Sequence, residues 1–278
     1  MAQGEKIQKV LARAGYGSRR EIERWIQEGV ISVNGNPATL GDRITGEEMI
    51  RIRGQRIKSE KLETKDTQVL LYHKPTGQVC TRKDPEGRQT IFDKLPEPAH
   101  GRWVVVGRLD INTSGLLLLT NDGELANRLM HPSNEVEREY SVRILGEVTE
   151  DMIKTLQKGV VLDDGPAKFD KVISKGGEGA NQWYNVTLKE GKYREVRRLW
   201  ESQGVQVSRL IRIRYGHVQL PRNLSRGQTK LLPAVQIGKL KESVGLHISA
   251  AEKEGIKRQA QQKASQKQRK RSFSSQRR

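Results

Sequence analysis

The chain has 278 residues, enough for one large domain or two, and it carries 51 Lys and Arg against 33 Asp and Glu, a net charge of +18. That excess predicts a polyanionic partner. No apolar run approaches the length of a membrane span and the N-terminus has no apolar signal core, so nucleic acid is expected rather than a membrane. The single cysteine, Cys80, excludes an intrachain disulfide and suits a reducing, cytoplasmic setting.

Residues 1–62 predict a small αβ module. Ile7, Val10, Leu11 and Ala14 recur at helical spacing, with Lys6, Lys9 and Arg13 opposite, and Gly15 and Gly17 stop the helix. Ser18-Arg19-Arg20-Glu21 matches a capping box, and Ile22, Trp25 and Ile26 give a second helix its buried face before Gly29 ends it. Val30–Val33, the turn pair Asn34-Gly35, and Ile50–Arg53 read as short strands. The basic residues Lys9, Arg13, Arg19, Arg20 and Arg24 form either a solvated face or an RNA-contacting one. Lys9–Gly15, Ser18-Arg19-Arg20, Val33-Asn34-Gly35 and Gly41-Asp42-Arg43 together resemble an S4 RNA-binding domain. The resemblance implies docking on structured RNA through phosphate contacts, which position a protein without reading bases. Residues 59–68 are polar and aperiodic and read as a linker.

Residues 63–244 predict a larger α+β domain built on a mixed, mainly antiparallel sheet with flanking helices. Val69–Tyr72 is an apolar strand closed by the turn His73-Lys74-Pro75-Thr76-Gly77, and residues 81–101 read as a basic loop. Trp103–Val106 and Leu116–Leu119 are short apolar runs, expected as buried strands. Between them runs Arg108-Leu109-Asp110-Ile111-Asn112-Thr113-Ser114-Gly115, a loop that places a carboxylate on a rigid frame. Asp110 there either bonds its own loop backbone or presents its carboxylate for chemistry. Asn121-Asp122-Gly123 is a turn before a helix with Leu125 and Leu129 on its buried stripe, ended by Pro132.

Arg138–Ile144 alternates strictly, which puts Tyr140, Val142 and Ile144 on the buried face of a strand. From the residues alone Tyr140 is a core aromatic. A short helix within 147–165 ends at the turn Asp163-Asp164-Gly165; Gly176-Gly177-Glu178-Gly179 reads as another turn, before the strand Gln182–Leu188. Glu190–Trp200 opens a helix that buries Val196, Leu199 and Trp200, with Arg197 at the edge of that face. Val205–Tyr215 is a strand expected to carry Leu210, Arg212 and Arg214 on one side. The Lys/Arg/Gln/Ser-rich tail 245–278 is expected to be disordered and adhesive to RNA.

Gly107-Arg108-Leu109-Asp110, with Thr113-Ser114-Gly115-Leu116-Leu117-Leu118-Leu119-Thr120-Asn121-Asp122-Gly123, resembles the central motif of the bacterial rRNA pseudouridine synthases. The resemblance implies that Asp110 is the catalytic residue and that Tyr140, in Glu139-Tyr140-Ser141-Val142, stacks on the target uracil. It also implies that Arg197 pairs with Asp110 and that Leu210 packs in the site; on physical grounds either Arg197 or Arg108 can supply the guanidinium that keeps the carboxylate ionised. Lys74, in Lys74-Pro75, matches the first motif and, with Arg194 and Arg198, is assigned to RNA contact. The implied reaction breaks the N1–C1′ bond of one uridine and rejoins the base through C5, so no cofactor is expected. The sequence holds no Walker loop or dinucleotide fingerprint, and His73, His100, His131, His217, His247 and Cys80 fall at no metal-ligand spacing. A buried carboxylate needs a neighbouring guanidinium to stay ionised, and an aromatic can hold a flipped base.

Ser133–Tyr140 and Arg194–Trp200 carry a finer match, to the branch acting on large-subunit rRNA. The expected partner is ribosomal RNA or a pre-ribosomal particle, engaged by a monomer. Two alternatives stand beside it: a synthase acting on small-subunit rRNA, and a non-catalytic RNA-binding assembly factor.

Overall fold

The computed structural model describes residues 4–62, 66–178 and 181–248, with residues 253, 254 and 257 beyond them. Most of the basic tail therefore lies outside the described residues. The chain divides into two units. One holds residues up to Gln68 with Pro96–Val104 and Thr120–Gly123; the other holds Val69–Leu95, Val105–Leu119 and the chain from Glu124 onward.

In the first unit, β1 (Glu5–Lys6) leads into α1 (Ile7–Arg13) and α2 (Arg19–Gln27), followed by β2 (Ile31–Val33), β3 (Asn36–Pro37), β4 (Arg43–Ile44), β5 (Ile50–Ile52) and β6 (Gln55–Arg56). The capping box forms at α2: the Glu21 N–H donates to Ser18 Oγ at 3.1 Å, and the Ser18 N–H donates to the Glu21 carboxylate at 3.3 Å. Strands order as β3-β2-β5-β6, with Val33 opposite Asn36 across the Asn34-Gly35 turn, while β1 pairs β4. Ile7, Leu11, Ile22, Ile31 and Ile50 close the core under both helices. The expected linker is not featureless: Ser59–Lys61 makes a 3₁₀ turn, and Leu62 is buried in this same core.

The second unit contains all or most of β7 (Val69–Lys74), β8 (Val104–Val106), β9 (Ser114–Thr120), α3 (Gly123–Met130), β10 (Arg138–Leu145), α4 (Glu150–Lys158), β11 (Val160–Leu162), β12 (Gly165–Ala167), β13 (Lys171–Glu178), β14 (Asn181–Leu188), α5 (Glu195–Glu201), β15 (Gln206–Tyr215), β16 (Val218–Gln219), β17 (Thr229–Leu231) and α6 (Ala234–Ser243). Its sheet runs β13-β14-β10-β15-β9-β7-β17, with β8 on β9 and β16 on β15. β10 is antiparallel to both β14 and β15, whereas β9 and β15 are parallel, so the sheet is mixed and mainly antiparallel. All seven residues of β9 are buried, as a central strand covered on both faces requires. On α5, Val196, Leu199 and Trp200 pack as their spacing predicts. Trp200 lies 5.8 Å from Phe169 and 5.3 Å from Tyr184, ring centroid to ring centroid.

Two expectations fail here, both for reasons of strand register. Gly176 and Gly177 do not turn the chain; they belong to β13, whose pairing with β14 shifts between Ser174 and Gly177, and residues 179 and 180 lie outside the described residues. Arg214 leaves the Leu210–Arg212 face. Tyr140 opposes Arg212 but Glu139 opposes Arg214, so Ile213 is an extra residue in a bulge. Past the bulge Arg214 pairs with Glu137 and Glu139, and Tyr215 is the buried residue.

Candidate active site

The β8–β9 loop is held from beneath by its own carbonyls. Five consecutive ones, from Leu109 to Thr113, accept hydrogen bonds: Leu109 from Cys80 Sγ at 3.3 Å, Asp110 from Lys74 Nζ at 3.1 Å, Ile111 from the Gly77 N–H at 2.8 Å, Asn112 from Arg197 Nη2 at 3.0 Å, and Thr113 from Lys74 Nζ at 3.0 Å. The Thr113 N–H closes a turn back onto the Asp110 carbonyl at 3.0 Å. With its backbone so occupied, the loop presents the Asp110 side chain, whose carboxylate accepts no hydrogen bond from any described residue. The Asp110 carboxylate thus makes no hydrogen bond to its own loop backbone.

Asp110 lines a cleft of about 880 Å³ together with Arg108, Thr113, Arg138, Tyr140, Glu195, Leu210, Arg212 and Tyr215. Tyr140 is half-buried rather than a core aromatic: it packs on the core cluster while its other side faces the cleft, opposite Arg212 across β15. Leu210 is buried in the wall, and Arg108 is exposed at the mouth.

Lys74 was assigned to RNA contact, and the structure corrects this. Its side chain is 0% exposed, and besides the two loop carbonyls its ammonium donates to the Pro75 carbonyl at 3.0 Å. Burial lowers its pKa, opposed by Cys80 and Asp110 nearby. Lys74→Met is expected to lower stability by about 2–4 kcal/mol in urea unfolding, because it strips three buried carbonyls of their donor. RNA affinity should stay within about 2-fold, the mark of a group that makes no phosphate contact. Weakened binding with unchanged stability would restore the contact role.

Arg197 also differs from the expected pair. It is buried, donates to the Val207 carbonyl at 2.9 Å and to Asn112, and forms no direct ion pair with Asp110. Burial and the Arg194 charge lower its pKa while Asp110 raises it, so its link to the carboxylate is through space and through the loop backbone.

Among the residues assigned to RNA phosphates, Arg198 grips Asp164 with two 2.8 Å bonds, and Lys9 and Arg13 both pair with Glu5, Arg13 reaching the Leu62 carbonyl as well. These three brace the fold. Arg24 is exposed 3.6 Å from Glu28, Arg19 and Arg20 are exposed, and Arg194 lies on the cleft in the left-handed region at φ 48°.

Sequence reasoning gave no role to Arg138, Thr113, Glu195 or Tyr215. Arg138 donates to the Lys189 and Glu190 carbonyls and to the Tyr215 hydroxyl, which itself donates to the Leu129 carbonyl at 2.7 Å. Signals were there for three of the four: Thr113 lies in the central motif, Arg138 shares the parity of Tyr140 in the alternating strand, and Glu195 starts a helix with a buried stripe. Glu195 is buried, one oxygen accepting from the Lys192 N–H at 3.0 Å and the other unpartnered, and burial raises its pKa. A folded-state pKa above the unfolded value means that the folded chain binds the extra proton, so stability falls as pH rises through that window. Glu195→Gln removes this slope. Its melting temperature relative to wild type is expected to rise by about 2–4 °C between pH 4 and pH 7, the effect of roughly 1 kcal/mol in a chain of this size. Parallel melting curves across that range would refute it.

A family model described as RNA pseudouridylate synthase matches residues 68–202, and one described as S4 domain matches residues 5–50. The ribosomal large subunit pseudouridine synthase B of Yersinia pestis is 58% identical over 252 residues, covering 90% of this chain and 79% of that protein. The protein of the same name from Salmonella typhimurium is 56% identical over 256 residues, 91% of this chain and 88% of its own. A crystal structure of a pseudouridylate synthase superposes with a TM-score of 0.59 at 27% identity, covering 84% of this chain and 99% of the other. With that identity over nine-tenths of its length, the chain belongs to the S4-bearing RNA pseudouridine synthase family, the one that includes the ribosomal large subunit pseudouridine synthases B.

Proposed function

We propose that this protein converts a uridine of large-subunit (23S) rRNA to pseudouridine, with the Asp110 carboxylate as the catalytic group. The observation that carries the reading is a carboxylate with no hydrogen-bond partner among the described residues, on a loop whose backbone is fastened at five successive carbonyls, facing a cleft that also presents Tyr140 and Leu210. A flipped uridine enters the cleft, the Tyr140 ring packs on the base, and Asp110 meets the sugar, either attacking C1′ or removing the 2′ hydrogen. Arg197 holds the loop from beneath through the Asn112 carbonyl and keeps a positive charge near the carboxylate. Arg19 and Arg20 on the first unit and Arg108 at the cleft are exposed side chains that can meet phosphates, and Arg24 and Arg194, in long pairs with Glu28 and Glu201, can join them. The protein acts as a monomer in the cytoplasm on rRNA or on an assembling ribosomal particle. Among the described residues no helix is long and apolar enough to cross a membrane.

The test is tritium release from 5-tritiated uridine in large- and small-subunit rRNA transcripts, because forming the C5 glycosidic bond expels the C5 hydrogen. Release from the large-subunit transcript alone is the expected result. Release from the small-subunit transcript would move the substrate. Tight binding of both RNAs with no release, naked or in assembly particles, would favour a non-catalytic assembly factor.

A further inference from the structure

Three buried polar atoms with no hydrogen-bond partner among the described residues belong to side chains lining one cleft: Arg212 Nη2, Thr113 Oγ1 and Glu195 Oε1. Arg212 is the most demanding of them. It is 2% exposed and its Nε donates to the Leu116 carbonyl at 2.7 Å; it forms no ion pair with a described residue. Its guanidinium carbon lies 5.1 Å from the centroid of the Tyr215 ring, and that of Arg138 lies 5.2 Å from the same centroid. Two cations thus share one aromatic ring. The Nη groups of Arg138 are bonded to carbonyls and to the Tyr215 hydroxyl, whereas Arg212 keeps an N–H open. Burying a cation with an unmet donor is costly unless a ligand supplies the acceptor.

The position of Arg212 says which part of a nucleotide that is. It stands opposite Tyr140 on β10 and Gly115 on β9, two residues past Thr113 and five past Asp110. A phosphodiester stays at the mouth of the cleft, where Arg108 is exposed; a flat base is the part that can descend to a fully buried guanidinium.

Resting on the reading that the cleft takes a flipped uridine, we propose that Arg212, with the Thr113 hydroxyl, holds a carbonyl oxygen of the uracil and stabilises the negative charge the base acquires when its glycosidic bond breaks. The electron pair of the N1–C1′ bond leaves with the base, and its charge spreads over N1 and the two carbonyl oxygens. Asp110 takes up C1′ or the 2′ proton. The base then turns and C5 bonds to C1′ as the C1′–Asp110 bond breaks or, on the other route, as Asp110 returns its proton to C2′; the C5 hydrogen is lost as a proton while N1 gains one, so the carboxylate is regenerated and the net change is an isomerisation. A preorganised cation at the developing oxyanion is worth most in a site closed to water.

The experiment is single-turnover conversion of large-subunit rRNA transcripts made with uridine or with 5-fluorouridine, followed as consumption of the target nucleoside after nuclease digestion and chromatography. Fluorine already stabilises the detached base. Arg212→Gln is therefore expected to slow the uridine RNA by about 100-fold and the 5-fluorouridine RNA by roughly 10-fold less than that, with RNA affinity within about 3-fold of wild type. Arg212→Lys should recover part of the loss, and the isosteric Thr113→Val should cost roughly 10-fold, the value of one hydrogen bond. A folded Arg212→Gln that converts uridine RNA at the wild-type rate, or that slows both RNAs equally, overturns the proposal. Should Arg212→Gln fail to give a cooperative thermal melt, the same comparison on Arg212→Lys and Thr113→Val decides it, equal loss on both RNAs or none again overturning it. Wild-type protein inert on every transcript would instead overturn the reading on which the proposal rests.

Discussion

Asp110→Asn is expected to abolish pseudouridine formation, by at least about 10⁴-fold in single turnover, while the protein folds and binds RNA as before. The two halves of this expectation rest on different observations. The loss follows from asking an amide to do what only a carboxylate can, either attacking C1′ or removing a proton. The intact fold follows because the carboxylate accepts no hydrogen bond from a described residue, while the Asp110 carbonyl, which the substitution leaves alone, carries the bonds to Lys74 and Thr113. Stability should therefore change by less than about 1 kcal/mol. Asp110→Glu sharpens the test. It keeps the charge but moves it by a methylene on a backbone that cannot shift to compensate, and an error of that size costs about 100-fold where geometry is productive. Thermal melts, RNA affinity and single-turnover rates of the two variants measure all three terms. A glutamate variant as fast as wild type would mean that the fastened loop does not position the reacting group.

Much of this was readable before the structure because local rules governed it. The capping box at Ser18 and Glu21, the buried stripe of α5 and the loop between two apolar runs each follow from a few neighbouring residues. What escaped was set by partners distant in sequence. Lys74 reads as an exposed turn residue after a strand; only the fold brings carbonyls 36 and 39 residues away to its ammonium. Arg198 reads as a phosphate contact until Asp164, 34 positions earlier, is found against it. The face of Arg214 was misread because strict alternation cannot announce a bulge, and a single extra residue reverses every side chain beyond it. The same displacement leaves Arg212 beside Leu210 in the cleft and sends Arg214 to Glu137 and Glu139, so two arginines two residues apart have opposite fates.

The second large effect is expected at Gly115, where fold and site meet. Its φ is +111°, and a Cβ built there would lie 2.3 Å from the Arg212 carbonyl oxygen and 2.5 Å from the Arg212 nitrogen. Both are backbone atoms of the strand that pairs with β9, so no rotamer change can relieve the overlap. Gly115→Ala must push β9 and β15 apart or break their parallel ladder, and β9 is buried along its whole length. Overpacking and left-handed strain together predict a loss of about 3–5 kcal/mol, a large share of the 5–15 kcal/mol that holds a typical domain together. Gly107→Ala is the control. Its φ is also positive, at +73°, but apart from its chain neighbours no described residue comes within 4 Å of the added methyl group, so it should cost only the conformational strain of about 1–2 kcal/mol. Urea unfolding of the pair separates the two causes. Equal losses would assign the whole effect to backbone conformation and none to the close approach of the strands. A larger loss at Gly115, accompanied by slower turnover in whatever fraction folds, is expected, because the strand that must move is the one carrying Leu210 and Arg212 into the cleft.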